Sequence, residues 1–473
     1  MKKSVIIVGG GIGGTAVGAL LAHRGLQVSL FDKNSLIGGR CTSYQKEGFI
    51  VDVGVHLFGE GAKGPLQQIL EQIGMPTALQ WILSRDPRPL MYYKGKMSVY
   101  SRNTMAQLLP ASEYEKVMKF FADCMSLRKK TINELYYTDL ETYLNRYSSD
   151  PIFHTFIGMI CGQYFCVNPT VASTGEFIRC FQAVLTKQAS AYPMGGCIAI
   201  PKAYVAAIKK YGGKVILNAE VKRIILEGDK ATGIELKDGT QHKADLLISN
   251  ADIQNTVSNL VGEKRFPKEY VTRMKKLTYA QHCMSIKVAL DKKVTDQKLI
   301  MHINVDYSDM DRYIDQIMKG EIPDEVGGMI TIPSNYDSGL APEGKQLIFL
   351  GTAISSDWRK LDWKKWGERC LESLQKVLPE IKGHVMWYNT DTPELVEKYA
   401  GEDGNIIGVG QTIDQVKERR PSQVTPITNL YIVGCEAGGW GIGTELAANS
   451  ALELADILTK KLVELPDITT KSS

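Results

Sequence analysis

The chain has 473 residues, with 56 Lys+Arg against 52 Asp+Glu and a formal charge of +4. That length suggests roughly three domain-sized units, and 44% hydrophobic with 23% charged residues is an ordinary globular composition that excludes a disordered, collagenous or disulfide-stapled chain. The near-balanced charge makes no case for nucleic acid, and the nine cysteines show no CxxC or metal-ligand rhythm, so they read as reduced cytosolic thiols that mostly fill core.

Met1-Lys2-Lys3 ahead of apolar residues imitates a signal peptide, but the run Val5–Val8 is too short and breaks at once into Gly9-Gly10-Gly11. Ser4–Val8 reads instead as a strand, Thr15–His23 as a small-residue helix stopped at Gly25, and Val28–Phe31 as a second strand. This is a βαβ opening with a right-handed crossover. Gly48–Phe58 alternates apolar positions like a hairpin piece. From about 85 to 191 the periodicity turns helical, with many aromatics and Met. Pro151–Gly175 holds no Asp, Glu, Lys or Arg, yet His154, Gln163 and Asn168-Pro169 are costly in hydrocarbon. It reads as a buried or cavity-lining segment rather than a membrane span, with peripheral attachment left open. A β-rich block follows: Lys214–Leu217, Glu220–Glu227, Ala231–Leu236, an Asp238-Gly239 turn and Ala244–Ser249 read as a meander beside the opening sheet. After a mixed region from Phe266 to Gly404, the chain closes with a strand at Asn429–Gly434, a Gly-rich turn, a helix at Gly441–Leu462 and a loose tail.

Gly9, Gly11 and Gly14 form G-x-G-x-x-G directly after a strand and at a helix start. The first permits a tight turn, the second lets backbone approach a pyrophosphate, and the third allows close helix–strand packing. The helix N-terminus then offers free N–H groups to an anion. Asp32, at the end of the second strand, suits two ribose hydroxyls, and Gly38-Gly39-Arg40 is a second close-approach turn with a cation for a diphosphate.

The run VIIVGGGIGG…LFDKNSLIGGR resembles the extended FAD fingerprint of glutathione-reductase-like flavoproteins, specifically the phytoene desaturase and flavin amine oxidase superfamily. The resemblance extends to Asp52–His56, Gly195-Gly196, the block holding Val221 and ending Ser249–Asp252, and TPITNLYIVG with the terminal helix. It implies an α/β fold: a discontinuous Rossmann-type FAD-binding domain (1–84, 192–262 and 405–465), a mixed α+β substrate domain (85–191 and 263–404) and a tail (466–473). It also implies FAD, expected to be noncovalent because Cys435 reads as a buried small thiol and not as a flavin attachment point. Gly9, Gly11, Ile12, Gly13, Gly14, Gly39 and Arg40 would hold the pyrophosphate, Asp32 with neighbouring Lys33 the adenosine ribose, and the Val221 backbone the adenine edge. Gly54, Val55 and His56 would lie against the isoalloxazine. Gly434 and Glu436 would meet the ribityl and phosphate groups, although Gly434-Cys435-Glu436 departs from the Gly-Asp or Gly-Glu of many relatives. Amides near Thr444 and Glu445 would face the pyrimidine end, where a helix N-terminus stabilises developing anion.

Lys287 sits on one face of a strand whose neighbours Ile286 and Val288 point the other way. In amine oxidases a lysine in a similar strand holds a water near flavin N5; the plain alternative is a solvent-facing strand residue. His56 is an acid/base or positional candidate. Met159, Tyr164 and Phe165 are candidates for an apolar pocket wall, and Trp440 for a stacking partner or loop anchor, with core packing as the alternative for the first three. No metal motif, nucleophile elbow or second dinucleotide fingerprint occurs.

The expected activity is hydride transfer between flavin N5 and a carbon of a mainly apolar substrate, by desaturation, saturation or isomerisation of a C–C bond. The alternatives are a flavin amine oxidase using Lys287 and a non-catalytic flavin-binding redox sensor. The electron acceptor stays open between oxygen, a quinone, a carrier protein and nicotinamide. The expected location is cytoplasmic, with peripheral membrane contact and a homodimer both left open.

Overall fold

The computed structural model describes residues 2–54, 57–101, 104, 109–305 and 309–463. Val55, His56 and the 466–473 tail therefore lie outside the described residues. A five-stranded parallel sheet gathers segments from the start, middle and end of the chain, in the order Leu430–Ile432, Leu246–Ser249, Ser4–Val8, Gln27–Phe31 and Lys214–Ile216. Alternation decides its faces. Val5 and Ile7 pack with Ala16, Leu20, Ile208, Ala451 and Leu454 of three helices, whereas Ile6 and Val8 pack with Ile224, Ile234 and Val257 on the other side. Both faces are covered, as a parallel sheet requires.

The first helix is Ile12–His23, beginning three residues earlier than its sequence pattern suggests, because the glycine-rich turn itself enters the helix. It ends as expected at Gly25, whose φ of +90° takes the left-handed position that closes a helix. The β-rich block divides differently from expectation. Only Val221–Glu227, Lys230–Leu236 and Gln241–Lys243 form a meander, while Lys214–Ile216 and Leu246–Ser249 join the parallel sheet. Short apolar runs carry no mark of which sheet they enter. Gly48–Phe58 is likewise shorter as a strand: Phe49–Asp52 pairs back onto Ser43–Lys46 across the left-handed Glu47-Gly48 turn.

A seven-stranded mixed sheet runs Val385–Asp391, Cys283–Leu290, Gln346–Ala353, Gly328–Thr331, Leu299–Ile303, Leu90–Tyr93 and Lys96–Val99. Its last two strands correct the helical reading of the stretch from 85, since Lys94-Gly95 at φ +47° and +75° makes a hairpin there. One face packs on Trp358, Trp366 and Leu374; the other sets Ala289 and Phe349 against Phe49 and Val51 of the Ser43–Asp52 hairpin. That hairpin is thus wedged against the second sheet.

A helical layer carries the aromatic core of Phe120, Phe153, Phe165 and Phe177. The uncharged stretch forms the helix Pro151–Phe165, whose 15 residues extend about 22 Å, short of the roughly 30 Å hydrocarbon core. Among the described residues no helix is long and apolar enough to cross a membrane.

Candidate functional site

Four adjacent parallel strands end at one edge of the first sheet and deliver Gly9–Gly14, Asp32, Asn250 and Gly434 there. A crevice outside the carboxyl ends of parallel strands is the general position for ligands in such sheets. Gly9 holds φ +97° and donates its N–H to the Phe31 carbonyl at 2.8 Å. A Cβ on Gly14 would stand 2.1 Å from the Gly9 carbonyl oxygen, and one on Gly13 would stand 2.7 Å from the Gly434 Cα. Ile12 is buried beside them. The second glycine turn docks on the first: the Gly38 N–H donates to the Gly10 carbonyl at 2.8 Å, and a Gly39 Cβ would lie 3.5 Å from the Gly11 Cα.

Asp32 is buried, and its two oxygens accept from the Gly10 and Asn34 N–H groups at 2.7 Å each. Burial pushes its carboxyl up, and those amides oppose the shift. Lys33 next to it is exposed. Asn250 donates its amide to the Val433 carbonyl at 2.9 Å, while its buried Oδ1 lacks a hydrogen-bond partner. A Cβ on Gly11 would come within 2.7 Å of that oxygen. Arg40 is fixed by its Nε to the Asn405 carbonyl at 2.7 Å, with Glu436 3.9 Å away. The edge therefore combines a bare backbone cradle, a helix N-terminus, a held guanidinium and an orphaned amide oxygen. The cradle N–H groups, the helix N-terminus and the guanidinium suit a diphosphate, and the acceptor oxygens of Asp32 and Asn250 suit hydroxyl donors, so these residues fit a dinucleotide cofactor. Among the described residues no group could hold a metal.

Val221 begins its strand opposite Leu236, half-buried against the second face of the sheet. Gly54 follows Asp52, which accepts from Ser43 Oγ at 2.6 Å, from the Cys197 N–H at 2.9 Å and from the Tyr192 hydroxyl. The terminal helix starts at Gly443, so Thr444 and Glu445 lie in its first turn. Glu445 turns inward, accepts the Glu60 N–H at 3.2 Å, and has its carboxyl pushed up to about 7 by burial and by the charge of Glu60. Glu60 is itself ion-paired with Lys187. Gly441 donates its N–H to buried Glu176 at 2.8 Å, and the Arg179 guanidinium lies 3.7 Å from the Trp440 ring centroid. Trp440 is thereby anchored in a clamped loop. Cys435 donates to the Gly443 carbonyl at 3.2 Å, and burial pushes its thiol up to about 11.

Lys287 is fully buried, which excludes the solvent-facing alternative. Its Nζ has no hydrogen-bond partner and lies 3.9 Å from the Phe349 ring centroid. Burial lowers its pKa against the opposing charges of Asp391 and Asp52, and burial raises Asp391 to about 6. Lys287 thus faces the hairpin that leads into Gly54. Met159 and Tyr164 are half-buried at the margin of the helical core, whereas Phe165 is fully buried within it and forms packing, not a pocket surface.

Asn250, Asn405, Glu60 and Glu176 were not singled out by sequence reasoning. Asn250 had a usable signal, since it ends a strand on the same edge as the glycine turns. The two glutamates are bonded across hundreds of residues and carry none.

The chain matches the model of the flavin containing amine oxidoreductases over residues 12–459. It is similar to a chloroplastic prolycopene isomerase of Daucus carota, 25% identical with 92% of this chain and 76% of the relative covered. It is similar also to a zeta-carotene-forming phytoene desaturase of Myxococcus xanthus, 23% identical with 98% and 94% covered. Its fold resembles the crystal structure of an oxidoreductase from Methanosarcina mazei, at a TM-score of 0.76, 22% identity and coverage of 96% and 100%. The glycine cradle, the buried lysine strand and these likenesses together lead to one conclusion: the chain is an oxidoreductase that belongs to the flavin-containing amine oxidoreductase family.

Proposed function

We propose that this chain binds FAD noncovalently and transfers hydride between flavin N5 and a carbon of a mainly apolar substrate, by desaturation, saturation or isomerisation of a C–C bond. The observation that carries the reading is the convergence of Gly9–Gly14, Asp32, Asn250 and Gly434 on one sheet edge. In this reading 1–84, 192–262 and 405–465 form the Rossmann-type cofactor domain. Gly9, Gly11, Ile12, Gly13, Gly14, Gly39 and Arg40 bind the pyrophosphate. Asp32 takes the ribose, with Lys33 at the solvent edge and the Val221 backbone at the adenine. Gly434 and Glu436 meet the ribityl chain, and the first-turn amides of Thr444 and Glu445 stabilise negative charge at the pyrimidine end. Gly54, with Val55 and His56, borders the ring.

Bound FAD supplies the two-electron chemistry, while the protein positions the substrate and excludes water. The noncovalent reading is supported by Cys435, whose thiol is engaged by the Gly443 carbonyl and held above its ordinary pKa by burial. The apolar substrate class rests on the helical layer margin at Met159 and Tyr164, and on relatives whose names describe prolycopene isomerisation and phytoene desaturation.

One observation favours a second reading, amine oxidation: a fully buried lysine lacking a hydrogen-bond partner on the strand that faces the hairpin before Gly54. Anaerobic mixing of the flavin-loaded protein with apolar polyenes, cyclic enoyl compounds and amines separates the two. Bleaching by polyenes or enoyl compounds alone supports the first reading. Bleaching by amines, with peroxide released in air, replaces it with the second, and no bleaching at all points to a redox sensor.

A further inference from the structure

Asn250 is the first residue past the strand Leu246–Ser249, which lies between the first strand, Ser4–Val8, and the last, Leu430–Ile432. It bonds to both sides. Its backbone N–H donates to the Val8 carbonyl at 2.7 Å, and its side-chain Nδ2 donates to the Val433 carbonyl at 2.9 Å. A carbonyl oxygen only accepts, so the amide nitrogen must face Val433, which turns the amide oxygen toward the opening glycine turn. That oxygen, Oδ1, is buried without a hydrogen-bond partner.

The amide occupies space that glycines leave empty. A Cβ on Gly11 would stand 2.7 Å from Oδ1, and one on Gly434 would stand 2.5 Å from Nδ2, closer than real Cβ contacts come. Gly11 is the informative position. Gly9 and Gly434 need glycine for their backbone, at φ +97° and +116°. A Cβ on Gly13 or Gly14 would strike backbone, the Gly434 Cα at 2.7 Å or the Gly9 carbonyl oxygen at 2.1 Å. Gly11 instead has φ −67° and ψ −178°, a conformation open to any residue. Among the described residues, only Oδ1 and Cγ of Asn250 come within 4 Å of its Cβ position, chain neighbours aside. Within the protein itself, Asn250 is what forbids a side chain at Gly11.

We propose that Asn250 is a positioning residue of the cofactor cradle. Its amide fills the side-chain space of Gly11 and ties the opening glycine turn to the end of the last strand, so that the Gly9–Gly14 backbone keeps the shape that receives a diphosphate. This role rests on the FAD reading above for the identity of the occupant. An alanine at Gly11 would displace the amide, break its bond to the Val433 carbonyl and loosen the joint between the two strands. The customary account of this second glycine, close approach of backbone to the pyrophosphate, leads to a different expectation. On that account an alanine at Gly11 harms FAD binding whatever residue stands at 250.

The test is a double-variant cycle on the full-length protein, read by thermal melting without FAD and then by fluorescence titration with FAD. Gly11→Ala should lower the melting temperature by a few degrees in the wild-type background. In Asn250→Ala the same change should have little further effect, because the space is vacated. Asn250→Asp keeps the bulk but cannot donate to Val433, so Gly11→Ala should again be costly there. Asn250→Asp should also bind FAD at least about tenfold more weakly than wild type. The double variant Gly11→Ala, Asn250→Ala should bind FAD no more weakly than Asn250→Ala alone. Equal melting-temperature losses from Gly11→Ala in the wild-type and Asn250→Ala backgrounds would overturn the proposal. So would wild-type FAD affinity in Asn250→Asp, or a double variant that binds FAD more weakly than Asn250→Ala. Where Gly11→Ala alone does not fold, a folded double variant is the expected result, and an unfolded one beside folded Asn250→Ala is the contrary. A wild-type protein that takes up no FAD refutes the cofactor reading, whereas the melts, run without FAD, still decide whether Asn250 holds the turn.

Discussion

Glu445→Gln offers a quantitative check on the electrostatics of the terminal-helix turn. Glu445 is 3% exposed, and its carboxyl rises from an ordinary 4.5 to about 7 through burial first and the charge of Glu60 second. The groups facing it are Glu60, whose carboxylate pairs with Lys187, the Glu60 N–H and the Thr444 hydroxyl. Because the folded-state pKa exceeds the unfolded one, the folded protein holds an extra proton between those two pH values. Stability therefore falls as pH rises through that window and levels off above it. At about 1.36 kcal/mol for each pKa unit, the charged form costs about 3 kcal/mol. Glutamine keeps an oxygen for the Glu60 N–H and cannot ionise. The variant should match wild type near pH 4.5 and exceed it by about 3 kcal/mol at pH 8, on the order of 5 °C in Tm. Thermal melts across that range, with FAD absent and then saturating, measure it. A difference between variant and wild type that does not change with pH would refute the reasoning.

Lys287→Met should leave stability unchanged or raise it by up to about 2 kcal/mol, since it removes a buried cation without a hydrogen-bond partner. Urea unfolding checks this, and a loss above about 3 kcal/mol would instead mark a structural ion pair with Asp391. If amine chemistry operates, the same variant should slow flavin reoxidation by oxygen, followed by stopped-flow absorbance. Asp32→Ala should weaken FAD binding by roughly 10- to 100-fold, about 1.5–3 kcal/mol for hydrogen bonds to a charged group, as read by fluorescence titration. Gly14→Ala would set a Cβ 2.1 Å from the Gly9 carbonyl oxygen and should destabilise the protein by about 3 kcal/mol, seen as a lower Tm and lost FAD uptake. Cys435→Ser should remain yellow and release its flavin on acid precipitation, the outcome also expected of wild type.

Local signals were the legible ones. The glycine turn, Asp32 and Gly38–Arg40 lie within one supersecondary unit, so spacing alone places them on one edge. The sorting of strands between sheets was not legible. Lys214–Ile216 and Val221–Glu227 are both short Val- and Ile-bearing runs, and only long-range pairing sends the first to the parallel sheet and the second to the meander. The Leu90–Val99 hairpin hides in a helix-like stretch because its signal is the single Lys94-Gly95 turn. Phe165 illustrates the limit at the site. Helical periodicity gives the same pattern for a pocket wall and a core, and packing by neighbouring helices decided for core. The buried carboxylates Glu60, Glu176 and Glu445 meet only through tertiary structure. Their setting gives them their chemistry, and sequence separation conceals it.

Separated stretches of this chain are proposed to assemble one noncovalent FAD site. Acid denaturation of the purified protein after incubation with FAD and removal of the excess, followed by chromatography of the supernatant, measures it directly. About one intact FAD is expected in the supernatant for each chain, with a colourless pellet. A folded protein that takes up no FAD, or a pellet that keeps the chromophore, would contradict it.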